Sequence, residues 1–76
     1  MPVLFIARSE VGKVKDVAED LAKLDEVAEV YLITGEFDIL ARLNVEEKDA
    51  IDLVVDKILK IDGMKETRTI FGKKVK

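Results

Sequence analysis

The chain reads as an α+β domain of order βαββαβ, one four-stranded antiparallel sheet with two helices on a single face. An internal repeat is the first observation behind that reading. At an offset of 37, Val17, Lys23, Asp25, Glu29, Ile33 and Gly35 meet Val54, Lys60, Asp62, Glu66, Ile70 and Gly72. Apolar positions match too, Val14 with Ile51, Leu21 with Ile58 and Leu24 with Ile61. The second observation is that each copy (14–35 and 51–72) has helical apolar spacing followed by a β-branched run, and each follows an apolar strand. Length is the third: 76 residues make one domain, near the lower end of what folds alone.

Taken in order, Val3 to Ala7 is a short apolar run and reads as a strand, broken by Ser9-Glu10-Val11-Gly12. From Lys13 to Leu24, Val14, Val17, Ala18, Leu21 and Ala22 share one helical face, with Lys15, Asp16, Glu19 and Lys23 on the other. Val27 to Thr34 is a second strand, rich in residues that favour the pleated state. Gly35-Glu36-Phe37 turns the chain, since glycine tolerates the positive φ of a tight hairpin. Asp38 to Val45 is the third strand. Asn44 with Glu47 three residues later resembles a capping box for the second helix. Ile51, Val54, Val55, Ile58 and Ile61 form its stripe, Asp62-Gly63 stops it, and Lys65 to Phe71 is the fourth strand. The whole is a ferredoxin-like sandwich.

Two helices cover one side of that sheet only. Yet Leu4, Phe5, Ile6 and Ala7, and then Val30, Tyr31, Leu32 and Ile33, are apolar without the alternation of a half-exposed strand. The expected cover for the open side is a second subunit, in a two-fold dimer with its sheets face to face.

Composition narrows the function. There are 13 basic and 16 acidic residues, a net charge of −3, and no basic stripe of the kind nucleic-acid binders carry. Lys73, Lys74 and Lys76 read as a solvated tail. No apolar run approaches the roughly 18 residues of a membrane span, and Met1 to Ile6 lacks a signal peptide's basic start. A cytoplasmic protein with no cofactor is the expectation. The chain has neither cysteine nor histidine, so no disulfide and no plausible zinc site. It has no glutamine, one asparagine and one serine, a composition that suggests a thermophilic source.

The same shortage removes the usual nucleophile–base constellations, because Ser9 is the only serine. Glu46 and Glu47 read as first-turn helix charges. Arg8 and Asn44 suggest acylphosphatase chemistry, but the glycine-rich loop that it needs after the first strand is missing. Thr34-Gly35-Glu36-Phe37-Asp38 remains. As structure it is a turn whose Asp38 bonds nearby backbone. As a site it suits a small zwitterion, with N–H groups around Gly35 for a carboxylate and Glu36 or Asp38 for an ammonium.

The stretch from Val27 through Thr34-Gly35-Glu36-Phe37-Asp38 to Leu40 resembles the signature of the effector-binding (RAM) domain of Lrp/AsnC feast/famine transcription regulators. That family shows a valine-rich strand, Thr-Gly-Asp/Glu-Tyr-Asp, and an apolar strand. Ile61-Asp62-Gly63-Met64 leading into Thr67-Arg68-Thr69 is similar to its last strand, and Gly12-Lys13 before the helix also fits. The resemblance spans essentially the whole chain.

It implies an amino-acid-sensing domain that dimerises through its sheet and assembles further into rings of about eight, with the effector between dimers. The implied ligand residues are Thr34, Gly35, Glu36, Phe37 and Asp38, joined by Thr67 and Thr69; Phe37 replaces the family's tyrosine and removes its hydroxyl. Full regulators place a helix-turn-helix before this domain. None precedes Met1, so residues 1–76 are expected to act as one stand-alone ligand-binding and oligomerisation domain without direct DNA contact. Other readings are a ligand-free module that co-assembles with full-length relatives, and a small ferredoxin-like enzyme.

Overall fold

The structure, a computed structural model, describes residues 2–76; Met1 lies outside them. Strand β1 (Val3–Ser9) leads to α1 (Val14–Ala22), β2 (Val27–Leu32), β3 (Ile39–Leu43), α2 (Glu47–Asp56), a 3-10 turn (Ile58–Lys60) and β4 (Met64–Phe71). The four strands form one antiparallel sheet in the order β2-β3-β1-β4. The predicted ferredoxin-like βαββαβ architecture is present.

Alternation along the central strands separates the two faces. Val3, Phe5 and Ala7 of β1 and Ile39, Ala41 and Leu43 of β3 enter the core beside Val17 and Leu21 of α1, Ala50, Leu53 and Val54 of α2, and Ile58. Leu4, Ile6 and Arg8 point the other way and are half-buried. Through the strand register, the open face also carries Leu40 and Arg42 of β3, Glu29 and Tyr31 of β2, and Glu66, Arg68 and Ile70 of β4.

Several element ends differ from the sequence reading. Helix α1 stops at Ala22 rather than Leu24, and β2 at Leu32 rather than Thr34, which puts Ile33 in the turn. The second helical stripe is not the buried face as read: Ala50, Leu53 and Val54 turn inward while Ile51 and Val55 are exposed. Helix α2 ends at Asp56, after which a 3-10 turn carries Ile58 into the core. The capping box is not formed. Glu46 is the N-cap of α2, without a side-chain cap bond, and Asn44 instead donates its backbone N–H to the Glu26 carbonyl at 2.7 Å. Strand β2 is also less buried than its apolar residues suggested, because it is an edge strand: Tyr31 is 48% and Leu32 55% exposed.

The duplication extends to strand pairing. Glu29, Val30, Tyr31 and Leu32 of β2 face Arg42, Ala41, Leu40 and Ile39 of β3. Their counterparts Glu66, Thr67, Arg68 and Thr69 of β4 face Arg8, Ala7, Ile6 and Phe5 of β1. Both pairings shift register at equivalent places, leaving Ala28 and Lys65 as the extra residues. On the open face this repeats one cross-strand ion pair, Glu29 with Arg42 at 2.7 Å and Glu66 with Arg8 at 3.2 Å.

Candidate functional site

The β2–β3 turn lies at the end of the sheet where β1 finishes and β4 begins. Its backbone is held at the base. Ile33 N–H donates to the Asp38 carbonyl at 2.9 Å, and Asp38 N–H donates to the Ala7 carbonyl at 3.0 Å. Gly35 sits at φ +108°, a conformation L side chains rarely adopt, with open space where a Cβ would be. Conformation rather than crowding therefore demands glycine here. Among the described residues, the amides of Thr34, Gly35, Glu36 and Phe37 make no backbone hydrogen bond. They form a short run of free donors at the exposed tip.

Asp38 is committed to the scaffold. Its Oδ2 accepts the Ser9 backbone N–H at 3.0 Å, tying the end of β1 to the start of β3. The next residue along the chain, Glu10, donates its N–H to the Gly63 carbonyl at 2.8 Å, so three loops are laced together. Asp38→Ala is thus not a clean probe of ligand binding, since it removes this contact as well. Glu36 is the freer carboxylate; its side chain is 74% exposed and reaches Arg8 at 3.6 Å.

Phe37 joins the turn to the open sheet face. The guanidinium carbons of Arg8 and Arg68 lie 5.5 and 5.6 Å from its ring centroid, within cation–π range. Glu66 bridges the two arginines at 3.2 and 3.0 Å. Arg8 Nε is buried with no hydrogen-bond partner among the described residues. At the far end of the same face, Glu29 accepts from Arg42 Nε at 2.7 Å and from the Tyr31 hydroxyl at 2.9 Å. Those bonds, Arg42 first and Tyr31 second, lower the Glu29 carboxyl from its ordinary value, and the same contact raises the Tyr31 phenol.

The structure brings Thr34, Gly35, Glu36, Phe37 and Asp38 into one turn, but not Thr67 and Thr69. Those threonines pair with Ala7 and Phe5, core residues, and so stand on the helix side of β4, opposite the face that Phe37 meets. Arg68 and Glu66 are the β4 residues beside the turn. Period-two alternation around Thr67 could have identified them, since a neighbour one residue away faces the other side. Arg8 and Asn44 lie at opposite ends of the sheet, because Val3 is opposite Leu43 and Ala7 opposite Ile39. No acylphosphatase-like pair exists. Among the described residues there is no group of acidic residues that could hold a metal ion, and no helix long and apolar enough to cross a membrane.

Comparison with known proteins agrees on one family. The family model described as "Lrp/AsnC ligand binding domain" matches residues 4–74. An uncharacterized HTH-type transcriptional regulator of Pyrococcus horikoshii, PH0140, is 41% identical over 69 residues, covering 88% of this chain and 44% of that protein. The chain spans less than half the length of the curated relatives it matches. Among solved structures, TTHA0845 from Thermus thermophilus superposes with a TM-score of 0.88 at 28% identity, covering 99% of this chain and 95% of that one. Escherichia coli AsnC superposes at 0.81 with 25% identity, covering 91% and 48%.

Proposed function

The chain belongs to the Lrp/AsnC ligand-binding-domain family, a regulatory family rather than an enzyme family, and from that membership we propose an amino-acid-sensing domain whose ligand controls its assembly. The domain pairs through its open sheet face into a two-fold dimer and binds a small amino acid at the Thr34–Asp38 turn, where dimers meet. One observation carries this reading: four free amides at the turn adjoin, through Phe37, the Arg8–Glu66–Arg68 cluster of the open face. A ligand at the turn therefore touches the same surface that pairs subunits.

In this mechanism the amides around Gly35 receive the carboxylate, and Glu36 pairs the ammonium. Glu36 takes this role rather than Asp38, whose Oδ2 is occupied by Ser9. Thr67 and Thr69 enter the site only from a neighbouring dimer, since within one subunit they face away. The apolar centre of the open face, Leu4, Ile6, Leu40 and Ile70, supplies the dimer contact. Ligand that binds only the assembled state favours it by RT ln(1 + [L]/Kd), about 2.7 kcal/mol at a hundredfold excess over Kd.

Native mass spectrometry with and without the twenty amino acids tests this. A multiple of the dimer mass carrying discrete amino acids supports the sensor and names its ligand. A bare dimer that ignores the mixture favours a second reading, a ligand-free module that co-assembles with full-length regulators.

A further inference from the structure

The two helices occupy equivalent places in the duplicated unit but present different surfaces. On α2 and the turn after it, Ile51, Val55 and Leu59 recur every four residues and are 65%, 53% and 48% exposed. At the offset of 37 their counterparts are Val14, Ala18 and Ala22. Val14 and Ala18 pack against the core, and Ala22 is small. The second helix has thus acquired an outward apolar row that the first does not have.

An acidic row runs beside it. Asp49, Asp52 and Asp56 follow helical spacing and together line a groove of about 220 Å³ with Glu26, Val45, Leu53 and Lys57. Among the described residues none of these three aspartates has a cation within 4 Å. Lys57 is taken by Glu26 at 2.7 Å and Lys48 leans to Glu46 at 3.7 Å. Glu26 Oε1 is buried in that region with no hydrogen-bond partner among the described residues. The counterparts on the first copy, Gly12, Lys15 and Glu19, make no such row, because a lysine interrupts it.

We propose that the outer face of α2 and its 3-10 turn is a docking surface for a basic amphipathic helix of a partner protein. The apolar row matches that helix's apolar stripe, and the aspartate row matches its lysines or arginines. A second copy of this chain fits worse. An antiparallel two-fold pairing keeps each flank on its own side of the seam, so the two aspartate rows would face each other. Parallel pairing brings no basic row opposite them either, since the other flank carries Glu47. The surface lies on the helix side and is separate from the sheet face and the turn, so this inference stands independently of the assembly proposed above.

The test uses a designed helical peptide of about 18 residues, with leucines along one stripe and arginines along the adjoining row, against the same peptide carrying glutamates. Anisotropy titration of the labelled peptides onto the full chain gives the affinities. The arginine peptide should bind, more weakly as salt rises, and the glutamate peptide should not. Val55→Asp, and separately the triple change Asp49→Asn, Asp52→Asn and Asp56→Asn, should each weaken binding about tenfold or more. Asp16→Asn with Glu19→Gln on α1 should leave it unchanged. All these positions lie on outer helix faces, and a thermal melt confirms that each variant is folded. Absence of peptide binding, equal binding of both peptides, or equal weakening by the α1 changes overturns the proposal. So does self-association that Val55→Asp abolishes while the peptide is ignored, which assigns the surface to a second copy.

Discussion

The two copies of the strand–helix–strand unit agree in strand register and in part of the core, and diverge in which helix face packs inward and in their connections. Val17 and Val54 are both buried, as are Leu21 and Ile58, and the β2–β3 and β4–β1 registers shift at the same place. Divergence lies in the connections and outer surfaces. Gly35 adopts φ +108° at a free turn, whereas Gly72 ends β4 with its N–H donated to the Pro2 carbonyl at 3.0 Å. The loop before β2 has Glu26 where the loop before β4 has Gly63 at φ +91°. Strand pairing holds both copies to one register, while the helices pack differently: Leu53 is buried where its counterpart Asp16 is exposed, and Ile51 is exposed where Val14 packs against the core.

Core truncation sets the upper limit on how alike the copies are. Leu21→Ala and Ile58→Ala should each destabilise the fold by about 2–5 kcal/mol, as both side chains are fully buried. Urea unfolding of the two variants measures this, and a loss under about 1 kcal/mol for either would show that its copy does not carry the core. Gly63→Ala should follow, at about 1–3 kcal/mol. Its new Cβ would lie 2.9 Å from Lys13 Cδ and 3.0 Å from Val17 Cγ2, on a backbone that already disfavours a side chain. Gly35→Ala meets open space and carries only the conformational penalty, about 1–2 kcal/mol, so thermal melts should rank it below Gly63→Ala.

Asp38→Ala tests the base of the turn. Loss of its bond to Ser9 N–H should cost about 1–2 kcal/mol in chemical denaturation. Glu36→Gln should leave stability within about 0.5 kcal/mol yet weaken amino-acid binding. Unchanged affinity in that variant removes Glu36 from the site.

The smallest effect concerns the repeated ion pair. Glu29 has its carboxyl lowered by Arg42 and Tyr31. A depressed folded-state value means stability that is present above the ordinary carboxylate range and is lost as pH falls through the lowered value. Glu29→Gln should therefore flatten the acid side of the stability–pH profile. Since the same contact raises the Tyr31 phenol, it should also reduce the stability lost as pH rises through the phenol range. Because the pair is exposed, rising salt should diminish the difference.

Much of this was legible in the residues. Apolar spacing locates every strand and both helices, and the offset of 37 discloses the duplication. Element boundaries were misplaced only at ends and caps, where competing backbone partners decide the outcome. Asn44 is an example: its backbone was drawn to the Glu26 carbonyl and Glu46 became the cap. The inward face of α2 and the side of β4 that meets the turn, by contrast, were misread. The turn was legible as a turn because Gly35 needs a positive φ. The composition of its surroundings was not, since Arg8 and Arg68 lie 60 positions apart and meet at Phe37 only through the β1–β4 register.

The sequence by itself determined the element order, the core stripe of the first helix and the glycine-dependent turn, because periodicity and φ preference act over a few residues. Only the tertiary structure decided which face each strand residue took and which charges were spent on one another. It placed Thr67 and Thr69 on the helix side of β4, bound Asp38 to Ser9 N–H, and, among the described residues, left Asp49, Asp52 and Asp56 outside the ion pairs that Lys48 and Lys57 make. Those outcomes depend on strand register and loop closure between distant segments, which local patterns do not encode.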